Sequence, residues 1–282
     1  MLTTHIRVER DGAVGFITID RTARFNSLDV TTARDLRRAG LQMARDESVR
    51  AVVLGGAGGT FCSGADLKYI ASGGEDRELA YLTPSERAVP AGYGERFKQI
   101  LEYLHSTISE IRRAPKPFIA AVDGIAAAGG FGLAMSCDLV FVSPRASFEW
   151  AYGKTALCGA ESSTFLLPRL VGLRRAMELM LLNPRVSGDK AVELGLATAV
   201  LSADAFDDDV LATARTIADG PTAAFATAKA LINQAAGIDR LDHHLAIELQ
   251  HLVRSADSPE FKEGLRAFFE KRPAVFGGAA RA

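Results

Sequence analysis

The amino-acid sequence predicts an α/β fold, and three observations carry that reading. Up to about residue 200, short apolar runs rich in β-branched residues alternate with helical patterns. Several of these runs are apolar on both faces, which suits strands covered by helices. After residue 202 the β signal disappears and helical patterns dominate, so a core over 1–202 and a helical region over 203–282 are expected.

Taken in order, "AVGFITID" (13–20), "VRAVVLGG" (49–56), "KPFIAAVDG" (116–124) and "CDLVFVS" (137–143) read as strands. The first helix is expected to begin at Asp29 as N-cap, because Ala33, Leu36, Gly40, Leu41 and Ala44 then share one face. Residues 72–95, "SGGEDRELAYLTPSERAVPAGYGE", combine glycines, prolines and charges without a period and read as a mobile loop or lid. In the helical region, "DAFDDDVLATARTIADG" ends on Gly220 as a C-cap and Pro221 is expected at N1 of the next helix. Further helical patterns cover 239–256 and 259–271, and the small-residue end "GGAARA" is expected to fray.

Composition narrows the class. A chain of 282 residues with 48% hydrophobic content can bury a sizeable core. Its formal charge of −1, with acids and bases interspersed, gives neither a nucleic-acid footprint nor a membrane-surface patch. The N-terminus lacks a basic stretch followed by an apolar run, and no segment approaches the ~18 apolar residues of a membrane span, so a cytoplasmic protein is expected. Cys62, Cys137 and Cys158 are odd in number and widely spaced. That pattern fits neither a disulfide framework nor a zinc or other metal site, and each is expected as a small buried hydrophobe.

The stretch "GIAAAGGFGLAMSCD" (124–138) runs a glycine-rich turn into an apolar helix pattern. A dinucleotide fold would want Gly-x-Gly-x-x-Gly after its first strand; here Gly124, Gly129, Gly130 and Gly132 lie deep in the chain with the wrong spacing. A phosphate loop fails too, because no Gly-Lys-Ser/Thr follows. A helix beginning at Gly129 or Gly130 still offers free N–H groups and a positive dipole end, which suit a transient small anion such as a thioester enolate oxygen. The second donor would come from another glycine turn, "GGTFCSGADLKYI" (58–70), directly behind the strand 49–56.

Together, "FCSGADLKYI" and "PKPFIAAVDGIAAAGGFGLAMSCD", followed by "LPRLVGLRRAMELMLLNPRVSGDKAVELGLA", strongly resemble the enoyl-CoA hydratase/isomerase (crotonase) family from about residue 12 to residue 272. The resemblance implies a spiral of ββα units with a helical C-terminal trimerisation region, hence a homotrimer or dimer of trimers. It also implies an acyl-CoA substrate that brings coenzyme A with it, and no permanently bound cofactor. Carried over by position, the backbone N–H groups of Ala65 and Gly129 form an oxyanion hole. The coenzyme then lies near "RTARFNSLD" (21–29) and the backbone of Gly64, Ala65, Asp66 and Leu67. Arg24 and Lys68 would meet its phosphates, with Lys271 or Arg272 reaching in from a neighbouring subunit. Gly130 belongs to the same substrate-binding set.

The pattern departs from the family's hydratases at both water-activating glutamates, which map to Gly132 and Tyr152. The acid used by some isomerases maps to Ala160, one residue from Glu161. A loop one residue out of register would bring Glu161 into the site; the alternative is an exposed glutamate in the first turn of a helix. His105 falls where the 4-chlorobenzoyl-CoA dehalogenase branch carries a histidine base. That branch's nucleophilic aspartate maps to Ala160 and its tryptophan to Tyr152, so dehalogenation is not expected. His105, among Ile100, Leu101, Leu104, Ile108 and Ile111, reads either as a core residue or as a base titrating near ~6.5. Tyr152 either donates to substrate or fills the cavity, and Glu149 and Trp150 are weaker candidates, since strand alternation turns one of them away. The expected chemistry is isomerisation or atypical hydration of an enoyl-CoA, with Glu161 shuttling the proton and His105 its assistant or substitute. Thioester hydrolysis, carbon–carbon cleavage and acyl-CoA binding without turnover are the alternatives.

Overall fold

In the computed structural model, which describes residues 5–73 and 92–277, an antiparallel hairpin opens the fold. β1 (Ile6–Asp11) pairs with β2 (Val14–Ile19), and α1 (Val30–Arg45) follows, with the Asp29 side chain accepting from the Thr32 N–H as its N-cap. β3 (Ala51–Gly56) leads through the first glycine turn into α2 (Leu67–Ser72), and α3 (Tyr93–Arg113) into β4 (Phe118–Val122). The second glycine stretch forms β5 (Ile125–Ala127) and α4 (Gly129–Ser136), after which come β6 (Leu139–Val142) and β7 (Ser147–Glu149). α5 (Ser163–Val171), α6 (Leu173–Leu182), β8 (Val186–Ser187), α7 (Gly188–Glu193) and β9 (Ala199–Val200) complete the core. Four helices end the described chain: α8 (Phe206–Asp219), α9 (Thr222–Ala235), α10 (Leu241–Ala256) and α11 (Pro259–Glu270).

The main sheet has the order β1-β2-β3-β4-β6-β9, and every pairing after the hairpin is parallel. A second sheet, β5-β7-β8, stands beside it. Leu36 and Met43 of α1, and Ile100, Leu104 and Ile108 of α3, bury one face with Ile17, Val52 and Leu54. The other face is covered by Phe206, Val210, Ala214 and Ala218 of α8, packed on Val14, Ala51, Val53, Ile119 and Phe141. Covering on both sides explains the continuous apolar runs.

The four expected strands form with trimmed ends, and Gly220 caps α8. Pro221 is the N-cap of α9 rather than its first residue: its ψ of 75° is not helical, and its carbonyl accepts from Phe225 N–H. The expected loop over 72–95 falls largely outside the described residues, though Ser72 ends α2 and Tyr93 opens α3. The end "GGAARA" lies almost wholly outside them too. Cys62 and Cys137 are buried, whereas Cys158, expected inside, is exposed. Among the described residues no helix is long and apolar enough to cross a membrane.

Candidate active site

The two glycine turns meet. Cys62 N–H donates to the Ile125 carbonyl at 3.1 Å and Ala127 N–H to the Cys62 carbonyl at 3.0 Å, which lays the segment before Ala65 along the segment before Gly129. Gly64 has a φ of +92°, and a Cβ there would come within 3.3 Å of Gly129 N and 2.9 Å of the Ala128 Cβ. Leu28 fixes the other side, donating to the Gly64 carbonyl at 2.8 Å and accepting from Asp66 N–H at 2.9 Å. That pairing passes over the Ala65 N–H. Gly129 opens α4, where the first-turn N–H groups have no helical acceptor. Neither the Ala65 nor the Gly129 N–H has an acceptor among the described residues.

Glu161 stands against Gly129. A Cβ on Gly129 would lie 3.0 Å from Glu161 Oε1, and the Tyr152 hydroxyl donates to Oε2. The expectation of an exposed glutamate in a first helical turn is corrected: Glu161 is buried and precedes α5, in a left-handed turn with φ of 52°. Its neighbourhood also explains Gly132. A Cβ there would fall 2.2 Å from the Glu161 carbonyl oxygen, so the backbone of Glu161 fills the space that a side chain at 132 would need. Burial pushes the Glu161 carboxyl up to about 8, and the nearby charge of Glu248 adds to the rise, while the Tyr152 bond opposes it. Tyr152 is driven well above its ordinary value by burial and by Glu161, so its phenol stays a donor.

His105 does not meet the site as a free base. Its Nε2 accepts from the Glu161 N–H at 3.3 Å, which requires the proton on Nδ1. Burial pushes its pKa down to about 4, in place of the value near 6.5 expected of an unperturbed histidine. Glu248 of α10 is a residue the sequence reading missed. Its Oε2 accepts from Ser162 N–H at 2.9 Å and its Oε1 from Thr164 N–H at 3.0 Å and from the Thr164 hydroxyl. The available signal was a carboxylate on the stripe Leu241, Leu245, Leu252 of an amphipathic helix.

The remaining candidates divide. Arg24 forms a two-point ion pair with Asp66, which also takes Arg21 at 2.7 Å and caps α2 through the Lys68 and Tyr69 N–H groups. Asp66 is thereby held low, burial opposing. Arg272 is spent on Glu263 and Glu270, whereas Lys68 and Lys271 make no ion pair among the described residues. Leu67 packs partly buried on the core, and a Cβ on Gly130 would strike the Cys62 carbonyl at 2.1 Å. Glu149 and Trp150 are both buried, contrary to the expected alternation, because β7 ends at Glu149. Glu149 pairs with Lys154, and Trp150 meets the Tyr152 ring edge-on at 5.2 Å. Burial lifts the Cys62 thiol to about 12, far from a nucleophile's range. No cluster of three or more His, Cys, Asp or Glu side chains among the described residues could hold a metal ion.

Chemically, the site offers two backbone donors without acceptors, one of which, at Gly129, lies beside a buried carboxyl. The profile of the enoyl-CoA hydratase/isomerase family matches residues 9–89 and 91–279. A probable enoyl-CoA hydratase of Rhodobacter capsulatus is 34% identical over 274 residues, covering 97% of this chain and 98% of that protein. The 1,2-epoxyphenylacetyl-CoA isomerase of Escherichia coli is 33% identical, over 93% and 94% of the two chains. The crystal structure of an enoyl-CoA hydratase from Mycobacterium avium subsp. paratuberculosis superposes with a TM-score of 0.83 at 30% identity, covering 97% of this chain and 98% of that one. The chain therefore belongs to the enoyl-CoA hydratase/isomerase family, and its α/β core with a helical C-terminal region is that family's fold.

Proposed function

We propose that the chain receives an acyl-CoA thioester oxygen between the N–H groups of Ala65 and Gly129, and moves a proton through Glu161 to isomerise, or atypically hydrate, an enoyl-CoA. The observation that carries this reading is the single buried carboxyl beside Gly129, tied to Tyr152. Two donors at one oxygen stabilise the enolate more than the neutral carbonyl, which lowers the barrier to removing the α-proton. With its carboxyl raised by burial to about 8, Glu161 is mostly protonated at neutral pH, so it is stocked as an acid and becomes a base in its ionised fraction. A carboxyl that takes a proton from one carbon and returns it to another ends the cycle unchanged, as isomerisation requires. Hydration by two glutamates would need a second acid, and Gly132 and Tyr152 supply none. His105, neutral and engaged with the Glu161 peptide, assists from behind rather than on the substrate.

The coenzyme runs along 21–29 and the backbone of Gly64, Asp66 and Leu67, with Lys68 and a neighbour's Lys271 free to meet phosphates. The working assembly is a homotrimer or dimer of trimers in the cytoplasm. Its support is apolar surface: α9 buries no residue within one chain, and Leu173, Leu181, Leu182, Leu231 and Ile232 are exposed. An acyl-CoA-binding protein without turnover is the competing reading, favoured by the missing glutamates.

The test is deuterium uptake at the α-carbon, followed by NMR in D2O, with butyryl-CoA and with phenylacetyl-CoA, whose ring acidifies the α-proton. Uptake by the wild-type chain and its loss in Glu161→Gln are expected. Tight binding of both thioesters without uptake would leave the binding-protein reading in possession.

A further inference from the structure

The turn that carries Glu161 is closed locally by Ser163, whose N–H and hydroxyl donate to the Ala160 carbonyl at 3.0 and 2.5 Å, but its two left-handed residues lean on more distant groups. Glu161 and Ser162 adopt successive left-handed conformations, with φ of 52° and 64°, and neither is glycine. Such backbone persists only where its surroundings over-determine it. Ser162, at the N-cap of α5, leaves its buried hydroxyl without a partner, so the local sequence supplies no side-chain cap. The N–H groups of the left-handed residues themselves are taken up by two distant helices. His105 of α3 accepts from the Glu161 N–H, and Glu248 of α10 gathers the next free donors, Ser162 N–H, Thr164 N–H and the Thr164 hydroxyl. A carboxylate sunk among leucines is costly unless several donors meet it, and these donors all come from the turn and the start of the helix behind Glu161.

We propose that Glu248 is a positioning residue, which clamps the Glu161–Ser162 turn from the C-terminal helical region so that the Glu161 carboxyl faces Gly129. The proposal rests on Glu161 being the proton carrier. Its reach is electrostatic as well as steric. Burial pushes the Glu248 carboxyl itself up, against the Thr164 and Ser162 donors that favour its charge, and in its ionised form it lifts the Glu161 carboxyl further in the direction that burial already sets. The other groups around Glu161 are Tyr152 from the turn after β7, His105 from α3, His244 beside Glu248, and the thiols of Cys62 and Cys158. α4 brings no ionisable side chain, only the positive end of its dipole.

Glu248→Gln keeps the size of the side chain and removes its charge and one acceptor. The expected result is a fold-competent variant whose α-deuterium uptake falls about 10-fold or more, and whose pH–rate midpoint moves clearly below the wild-type value. An unchanged rate and midpoint would overturn the proposal, and so would a slower rate with an unmoved midpoint, the mark of a cap that only supports the fold. Should Glu248→Gln fail to fold, the same two readings are taken on the Glu248→Gln, Ser162→Gly double variant, where glycine accepts the left-handed φ without strain. A 13C titration of the Glu161 carboxyl in the unliganded protein, assigned by its loss in Glu161→Gln, separates this claim from the functional one. If the wild type exchanges no α-proton, the proton-carrier reading fails. A carboxyl midpoint lower in Glu248→Gln still supports the clamp, and an equal midpoint overturns it.

Discussion

At the scale of single residues, everything turns on one carboxyl kept out of water. Glu161→Gln should lower turnover of any active acyl-CoA by about 10²-fold or more while binding is retained, as measured by single-turnover and titration experiments. Tyr152→Phe removes a hydrogen bond that favours the charged carboxylate. The pH–rate midpoint of that variant should therefore rise above the wild-type value, the opposite of the Glu248→Gln shift. Stability carries the same signature. Glu161 has its pKa raised from 4.5 to about 8 on folding, so its contribution is fully present below pH 4.5 and is lost as pH rises through about 8. Thermal melts from pH 5 to pH 9 should show Glu161→Gln gaining steadily on the wild type. His105, lowered to about 4, acts in reverse: what it contributes is lost as pH falls from about 6.5 through 4. A carboxylate near the isomerase position was visible in the chain, one residue displaced from its usual place. The neutrality of His105 and the existence of Glu248 in the site were not, because burial and a contact 86 residues along the chain are properties of the fold.

Among elements, the central strands were legible because both faces are covered and the apolar runs are unbroken. β1 was not: "IRVERD" buries only Ile6 on an edge of the sheet, and its polar face hides the period. β5, β7, β8 and β9 span two or three residues each, too short for any periodicity to register. The glycine stretches were readable as turns that offer N–H groups. Why Gly132 must be glycine was not, since the answer is the Glu161 carbonyl arriving from another loop. Gly132→Ala should cost about 1–3 kcal/mol from overpacking, and lower the melting temperature by roughly 3–10 °C. Gly132→Glu, which restores the hydratase residue in name, should show no gain in crotonyl-CoA hydration, followed by loss of enoyl absorbance.

For the molecule as a whole, α10 of the helical region reaches back to the turn that carries Glu161, and α9, together with α6 of the core, exposes apolar side chains that the proposed trimer would cover. Sedimentation velocity at micromolar concentration should give a trimer or hexamer, and a monomer alone would count against cross-subunit contact with the coenzyme. The central claim is that one oxygen, two backbone donors and one buried carboxyl make the reactive centre. It is tested most directly by a crystal structure of the protein with butyryl-CoA bound. The thioester oxygen should lie within hydrogen-bonding distance of both Ala65 N and Gly129 N, with the α-carbon facing the Glu161 carboxyl. A thioester oxygen bound away from those two N–H groups, or an α-carbon turned from Glu161, would contradict it.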